Sequence, residues 1–123
     1  MRYMSFIRHT EKYRKDGPPA ALMQAMGPYV EKSMKEGTVV EVGGLLASDA
    51  GARVRLSKGE ITVTDGPFTE SKEVIGGWAV LEARSRAHAI ELARDFMELH
   101  RTHWPEFEGE CEVREMFNPG EGP

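Results

Sequence analysis

Hydrophobic and polar positions along this chain change their period several times, and each change predicts an element. Residues 2–8, Arg-Tyr-Met-Ser-Phe-Ile-Arg, alternate and favour extended backbone, which predicts a first strand. His9 to Gly17 is a charged connector. Pro18 and Pro19 suit the opening of a helix, where a missing N–H costs nothing. From Leu22, apolar residues recur at Met26, Tyr29, Val30 and Met34, a helical spacing. Gly27-Pro28 interrupts it and predicts a kink or two short helices, ending before Gly37. Thr38 to Leu46 reads as a strand whose Gly43-Gly44 pair marks a bulge or a close backbone approach.

Ala52–Leu56 and Ile61–Thr64 flank Ser57-Lys-Gly-Glu60 and predict a hairpin. With Lys58-Gly59 as the turn, Leu56 pairs Ile61, Val54 pairs Val63, Arg55 pairs Thr62 and Arg53 pairs Thr64. Both strands then present their apolar residues on one face. Val74 to Leu81 is apolar on both parities, so it belongs mid-sheet with both faces covered. Ser85 can cap the next helix, whose apolar face runs through Ala89, Leu92, Phe96 and Leu99. Residues 110–117 form a last strand. The order β-α-β, hairpin, β-α-β predicts an α+β ferredoxin-like sandwich with an inserted β-hairpin and two helices on one face of an antiparallel sheet. Helices cover only one side of the strand at 74–81, and a second copy is the economical cover for the other, giving a homodimer.

A length of 123 residues fits one domain, 1–118, followed by a turn-rich flexible tail, 119–123. Charged residues make up 29% of the chain, yet the net charge is only −4 and the basic residues are scattered, which argues against nucleic acid as a partner. The N-terminal apolar run ends at Arg8, too short for a signal peptide's apolar core or a membrane span. The single cysteine, Cys111, closes no intramolecular disulfide and fits a reducing compartment, so the expected location is cytoplasmic, away from membranes.

The segment VTDGPFTESKEVIGGW, residues 63–78, holds the densest candidate chemistry. Asp65-Gly66 and Pro67 explain a turn, and solvated charges explain the rest. Against that bland account, Phe68 sits among polar residues, where burying its ring would pin the loop inward. Asp65, Glu70 and Glu73 bracket Lys72, and the hairpin register puts Arg55 near the root of the loop, an arrangement suited to fixing polar ligand groups or placing an acid–base pair. Gly76 and Gly77 remove side chains where the next strand begins, opening room for a ligand or another backbone.

Asp-Gly-Pro-Phe at 65–68, Thr-Glu-Ser-Lys-Glu at 69–73 and Ile-Gly-Gly-Trp at 75–78 together resemble the signature of the DGPF group within the YCII-related protein family. Met1-Arg-Tyr-Met4, Val54-Arg55 and Glu110-Cys-Glu-Val-Arg114 are similar to the same group's opening, hairpin and closing strand. The resemblance implies a ferredoxin-like subunit that pairs into a dimeric α/β barrel, with a polar cleft lined by the motif. Carried over residue by residue, the cleft positions are Arg55, Asp65, Glu70, Lys72 and Glu73. The histidine–aspartate pair associated with the wider family has no matching histidine here.

Two functional readings follow. In the first, the protein is an enzyme of small polar metabolites, of lyase, isomerase or hydrolase type, in which Asp65 or Glu70 moves a proton while Arg55 or Lys72 holds an anionic group and Phe68 and Glu73 complete the site. In the second, the same loop binds a ligand without turnover, as a regulatory module; the resemblance links such members to extracytoplasmic-function sigma factors. His100 and His103 lie at a spacing that can hold zinc, but no third ligand is fixed beside them, so neither a metal nor a cofactor is assigned. His9 and His88 read as surface residues, and Cys111 as a buried small apolar residue.

Overall fold

The computed structural model describes residues 1–10, 17–68 and 73–123. The chain runs β1 (Arg2–His9), α1 (Ala20–Glu36), β2 (Val39–Gly44), a 3₁₀ turn (Ser48–Ala50), β3 (Ala52–Ser57), β4 (Glu60–Asp65), β5 (Val74–Glu82), α2 (Arg86–His103) and β6 (Gly109–Glu115). Four strands form one antiparallel sheet in the order β2-β5-β1-β6, while β3 and β4 form a separate ribbon. This is the ferredoxin-like α+β arrangement with an inserted hairpin, and β5 occupies the central place its two-sided apolar pattern requires.

Alternation in β1 sets the two faces of the sheet. Tyr3, Ser5, Ile7 and His9 are buried beneath the helices, whereas Met4, Phe6 and Arg8 are half-buried on the opposite side. Register extends each face across the sheet: Tyr3 pairs Leu81 and Ser5 pairs Ala79 and Val113 on the helix side. Met4 pairs Val80 and Phe6 pairs Trp78 on the other. The core gathers Tyr3, Leu81, Ala83 and Ala89, with Leu92 and Val113 packed against them.

Local chemistry fixes the ends of both helices. Pro19 precedes the first turn of α1, and Gly37, at φ 80°, closes it in the left-handed conformation that glycine adopts without penalty. The Ser85 hydroxyl accepts the His88 N–H at 3.1 Å, the expected N-cap of α2. One expectation is corrected: Gly27-Pro28 does not divide α1 into two short helices. Pro28 withdraws one N–H from the ladder, but the segment remains a single 17-residue helix, with Leu22 buried before the proline and Ser33 after it. Tertiary packing on both sides outweighs the local penalty.

The ribbon has the expected register at all four pairs, turning through Lys58 (φ 52°) and Gly59 (φ 80°), two positive φ values that match the right-handed twist of the strands. Its apolar residues Val54, Leu56, Ile61 and Val63 do share a face, and each is between 67% and 71% exposed.

Candidate functional site

The two helices lie over the sheet with a hollow between them, a cavity of about 510 Å³. That size suits a small organic ligand. Leu22 and Val30 of α1, Leu81 of β5 and Leu92 and Phe96 of α2 form its apolar walls, and no Asp, Glu, Lys or Arg lines it among the described residues. The hollow extends toward the sheet end where β1 and β2 finish and β5 and β6 begin, and there the lining includes His9, His100, Trp104 and Phe107.

His9 reaches this end because it continues the odd-numbered face of β1, and it is 5% exposed, which corrects the surface role expected for it. Its Nδ1 lies 2.8 Å from the Thr10 carbonyl oxygen, a geometry in which the ring N–H donates. Gly76 makes the seat possible. A Cβ at that position would lie 2.0 Å from His9 Nε2, and Gly76 falls where the β1–β5 register shifts, between the Ile7–Gly77 and Arg8–Ile75 pairs. Gly43 does the same for the opposite face, since its Cβ would lie 2.8 Å from the Trp78 indole. One glycine of each pair, Gly76 and Gly43, therefore serves close approach, whereas a Cβ at Gly44 would stand in open space.

His100 lies one turn beyond Phe96 on the buried stripe of α2 and is also 5% exposed. Its Nδ1 is 3.0 Å from the Phe96 carbonyl oxygen, and its ring packs edge-on against Phe96 at 4.8 Å and tilted against Phe107 at 5.1 Å. Burial pushes this imidazole below its ordinary range; the Phe96 carbonyl opposes the shift and His9 adds to it. The sign of the pH effect follows. Below about pH 6.5 the unfolded chain takes up a proton that folded His100 resists, so stability is level above that value and declines as the pH falls from it. Urea midpoints measured across this window should fall with pH in the wild type and fall less steeply in His100→Gln. Identical slopes in the two proteins would assign the decline to other groups.

Two other polar groups near the cavity stay uncharged. Burial, then the Asp95 carboxylate, raises the Tyr29 phenol. Burial likewise raises the Cys111 thiol, whose Sγ lies 3.1 Å from Ser5 Oγ. Cys111 is thus a half-buried, protonated thiol rather than an activated nucleophile.

The sequence-derived site residues are distributed differently. Phe68 packs against the Ser48–Gly51 segment: its N–H donates to Ser48 Oγ at 2.9 Å, and the guanidinium of Arg53 lies 4.0 Å above its ring centre. Asp65 is exposed at the root of the ribbon opposite Ala52, and Arg55 is exposed opposite Thr62, three residues further along β3, roughly 10 Å away at strand spacing. Glu73 is exposed and immediately precedes Val74, which pairs with His9, so it enters the sheet at the histidine end. Glu70 and Lys72 lie outside the described residues. The arginine beside the ring is therefore Arg53, and the two buried histidines are additions that sequence reasoning missed. Both carried a signal. His9 continues the parity of Tyr3, Ser5 and Ile7, and His100 extends the stripe of Ala89, Leu92 and Phe96 by helical steps.

A four-stranded antiparallel sheet under two helices, with a hollow between the layers and imidazoles at one end, defines a small ferredoxin-like α+β protein with an internal cavity. The chain belongs to the YCII-related domain family, whose model matches residues 1–100. It is 32% identical over 104 residues to an uncharacterised protein of Rhizobium meliloti (strain 1021), a match covering 83% of this chain and 80% of that relative. The family match ends at His100, so Trp104, Phe107 and β6 lie beyond it. No helix among the described residues is long and apolar enough to cross a membrane.

Proposed function

We propose that this protein binds a small, largely apolar molecule in the cavity between its helices and its sheet, with the His9–His100 end supplying the polar contacts. The observation that carries the reading is the composition of the hollow: about 510 Å³, walled by aliphatic and aromatic side chains without a charged one among the described residues, and holding two imidazoles. If a reaction accompanies binding, imidazole is the group suited to moving a proton near neutral pH, in keeping with isomerase, lyase or hydrolase chemistry. Without turnover the same cavity serves a sensor. The working unit in this reading is a cytoplasmic homodimer, because Met4, Phe6, Trp78 and Val80 form an apolar stripe on the sheet face away from the helices, where a second copy packs.

A cavity-filling substitution tests the reading. Gly44 lines the hollow, and a Cβ there meets nothing within 4 Å, so Gly44→Phe introduces a ring into open space rather than into packed side chains. N-phenyl-1-naphthylamine, an uncharged dye that fluoresces in apolar surroundings, should bind the wild type. It should bind Gly44→Phe roughly tenfold more weakly or worse, with the far-ultraviolet circular dichroism unchanged. Equal dye binding by the two proteins would remove the cavity as the site.

A second reading places a small polar metabolite at the loop, held by Asp65, Arg55, Phe68 and Glu73 together with Glu70 and Lys72. It is favoured by the Arg53–Phe68 stack and the Ser48 hydrogen bond, which fix the first part of that loop. Under this reading Asp65→Asn weakens binding of a co-purifying solute while Gly44→Phe leaves it intact; under the first reading the pattern reverses.

A further inference from the structure

We infer that His100 accepts a hydrogen bond from the bound molecule, so that the cavity selects uncharged, flat ligands carrying an N–H or O–H donor. This inference rests on the cavity reading above and specifies its ligand class.

The tautomer follows from the neighbours of the ring. A carbonyl oxygen only accepts, so the contact at 3.0 Å between His100 Nδ1 and the Phe96 carbonyl places the proton on Nδ1. In a neutral ring Nε2 is then a lone-pair acceptor. Among the described residues Nε2 has no hydrogen-bond partner, yet it is not sealed off: the one buried, unpartnered side-chain nitrogen or oxygen among them is Arg8 Nε. A 95%-buried side chain with an open acceptor must therefore present it to a hollow, and His100 borders the cavity. Burial favours the neutral form at physiological pH, which keeps that lone pair available.

The surroundings define the rest of the ligand. Phe96 and Phe107 flank His100, and Trp104 packs on Phe107 at 5.0 Å, so the walls near the acceptor are aromatic faces and edges that suit a planar ring. Among the described residues a carboxylate or phosphate entering here would shed water without meeting a lysine or arginine, and at His100 it would face an acceptor rather than a donor. An ammonium group would meet no carboxylate among the described lining residues. An uncharged donor on a flat apolar body meets none of these costs.

Indole and benzofuran are close to isosteric and differ in that indole has a ring N–H where benzofuran has an oxygen. Titration of each into the full chain, followed by NMR at the His100 ring, separates the proposal from the reading beneath it. The wild type should bind indole roughly three- to tenfold more tightly than benzofuran, the span of one net hydrogen bond. Only indole should shift the Nε2 resonance in the manner of hydrogen-bond acceptance. In His100→Phe the two affinities should converge while that of benzofuran holds, and His100→Gln, which retains an acceptor, should keep part of the preference. Equal affinities in the wild type, or a preference that survives in His100→Phe, would overturn the inference and leave the cavity reading standing. Binding of neither compound would overturn both. Should His100→Phe not fold, the wild-type affinity ratio and the Nε2 shift decide the matter alone. His100 also borders an outer groove with Met97, Arg101 and Glu108, and Gly44→Phe separates the two hollows. Loss of the indole signal there supports the proposal, and its persistence places the donor outside the cavity and sinks it.

Discussion

Leu22→Ala is expected to destabilise the protein by about 2–5 kcal/mol, the range for removing a buried leucine side chain and leaving the space unfilled. Leu22 is 1% exposed, the largest side chain buried so completely among the described residues, and it sits in the first turns of α1. The hollow beside it already lacks atoms to close in, so collapse around the truncated residue recovers little. Chemical denaturation should show a lower midpoint with an unchanged slope. Met34 supplies the contrast: it is on the same helix and 44% exposed, so Met34→Ala should cost no more than about 0.5 kcal/mol. Comparable losses in the two variants would mean that α1 is not held to the sheet through Leu22.

Gly66→Ala is expected to cost about 1–3 kcal/mol through a clash that no side-chain rotation relieves. A Cβ at Gly66 would lie 1.7 Å from the Ser48 carbonyl oxygen and 2.6 Å from its carbon, both backbone atoms. The chain around Gly66 is tied there from both sides, because the Gly66 N–H donates to the Gly51 carbonyl at 2.9 Å and the Phe68 N–H donates to Ser48 Oγ. A methyl group must push these segments apart. Amide hydrogen exchange should report it directly, with the Phe68 N–H losing protection in Gly66→Ala. Gly51→Ala is the matched control, since its Cβ would stand 3.5 Å from the same Ser48 oxygen in ordinary contact and its backbone is extended. Unaltered protection at Phe68 in Gly66→Ala would show that the loop is not docked on Ser48.

The Gly66 geometry also explains why the Asp-Gly-Pro-Phe segment was readable as special but not as to its task. An aromatic residue between polar neighbours signalled that the loop is anchored, and Phe68 is indeed packed on its neighbours. What it packs on is the Ser48–Gly51 turn, seventeen residues upstream at the nearer end, and no local pattern specifies that partner. The same limit applies to the arginine. Alternation places Arg53 and Arg55 on one face of β3, and only the direction in which the loop leaves β4 selects Arg53 for the ring.

Sequence by itself determined the order of the elements and the register of the β3–β4 hairpin. Period-two and helical spacing, the Lys58-Gly59 turn, the Ser85 cap and the Gly37 stop each depend on interactions within a few residues, and those are written in the order of side chains. It also determined which face of β1 and which stripe of α2 are buried, and so carried His9 and His100 inward along with their apolar neighbours. Tertiary structure decided the rest: that α1 runs unbroken through Pro28, that two histidines ninety-one positions apart meet at one end of a hollow, and that Gly76 is needed to seat one of them. The physical reason is that local preferences amount to a kcal/mol or so per residue, whereas packing sums many contacts between distant segments, so it both overrides a proline and assembles a site.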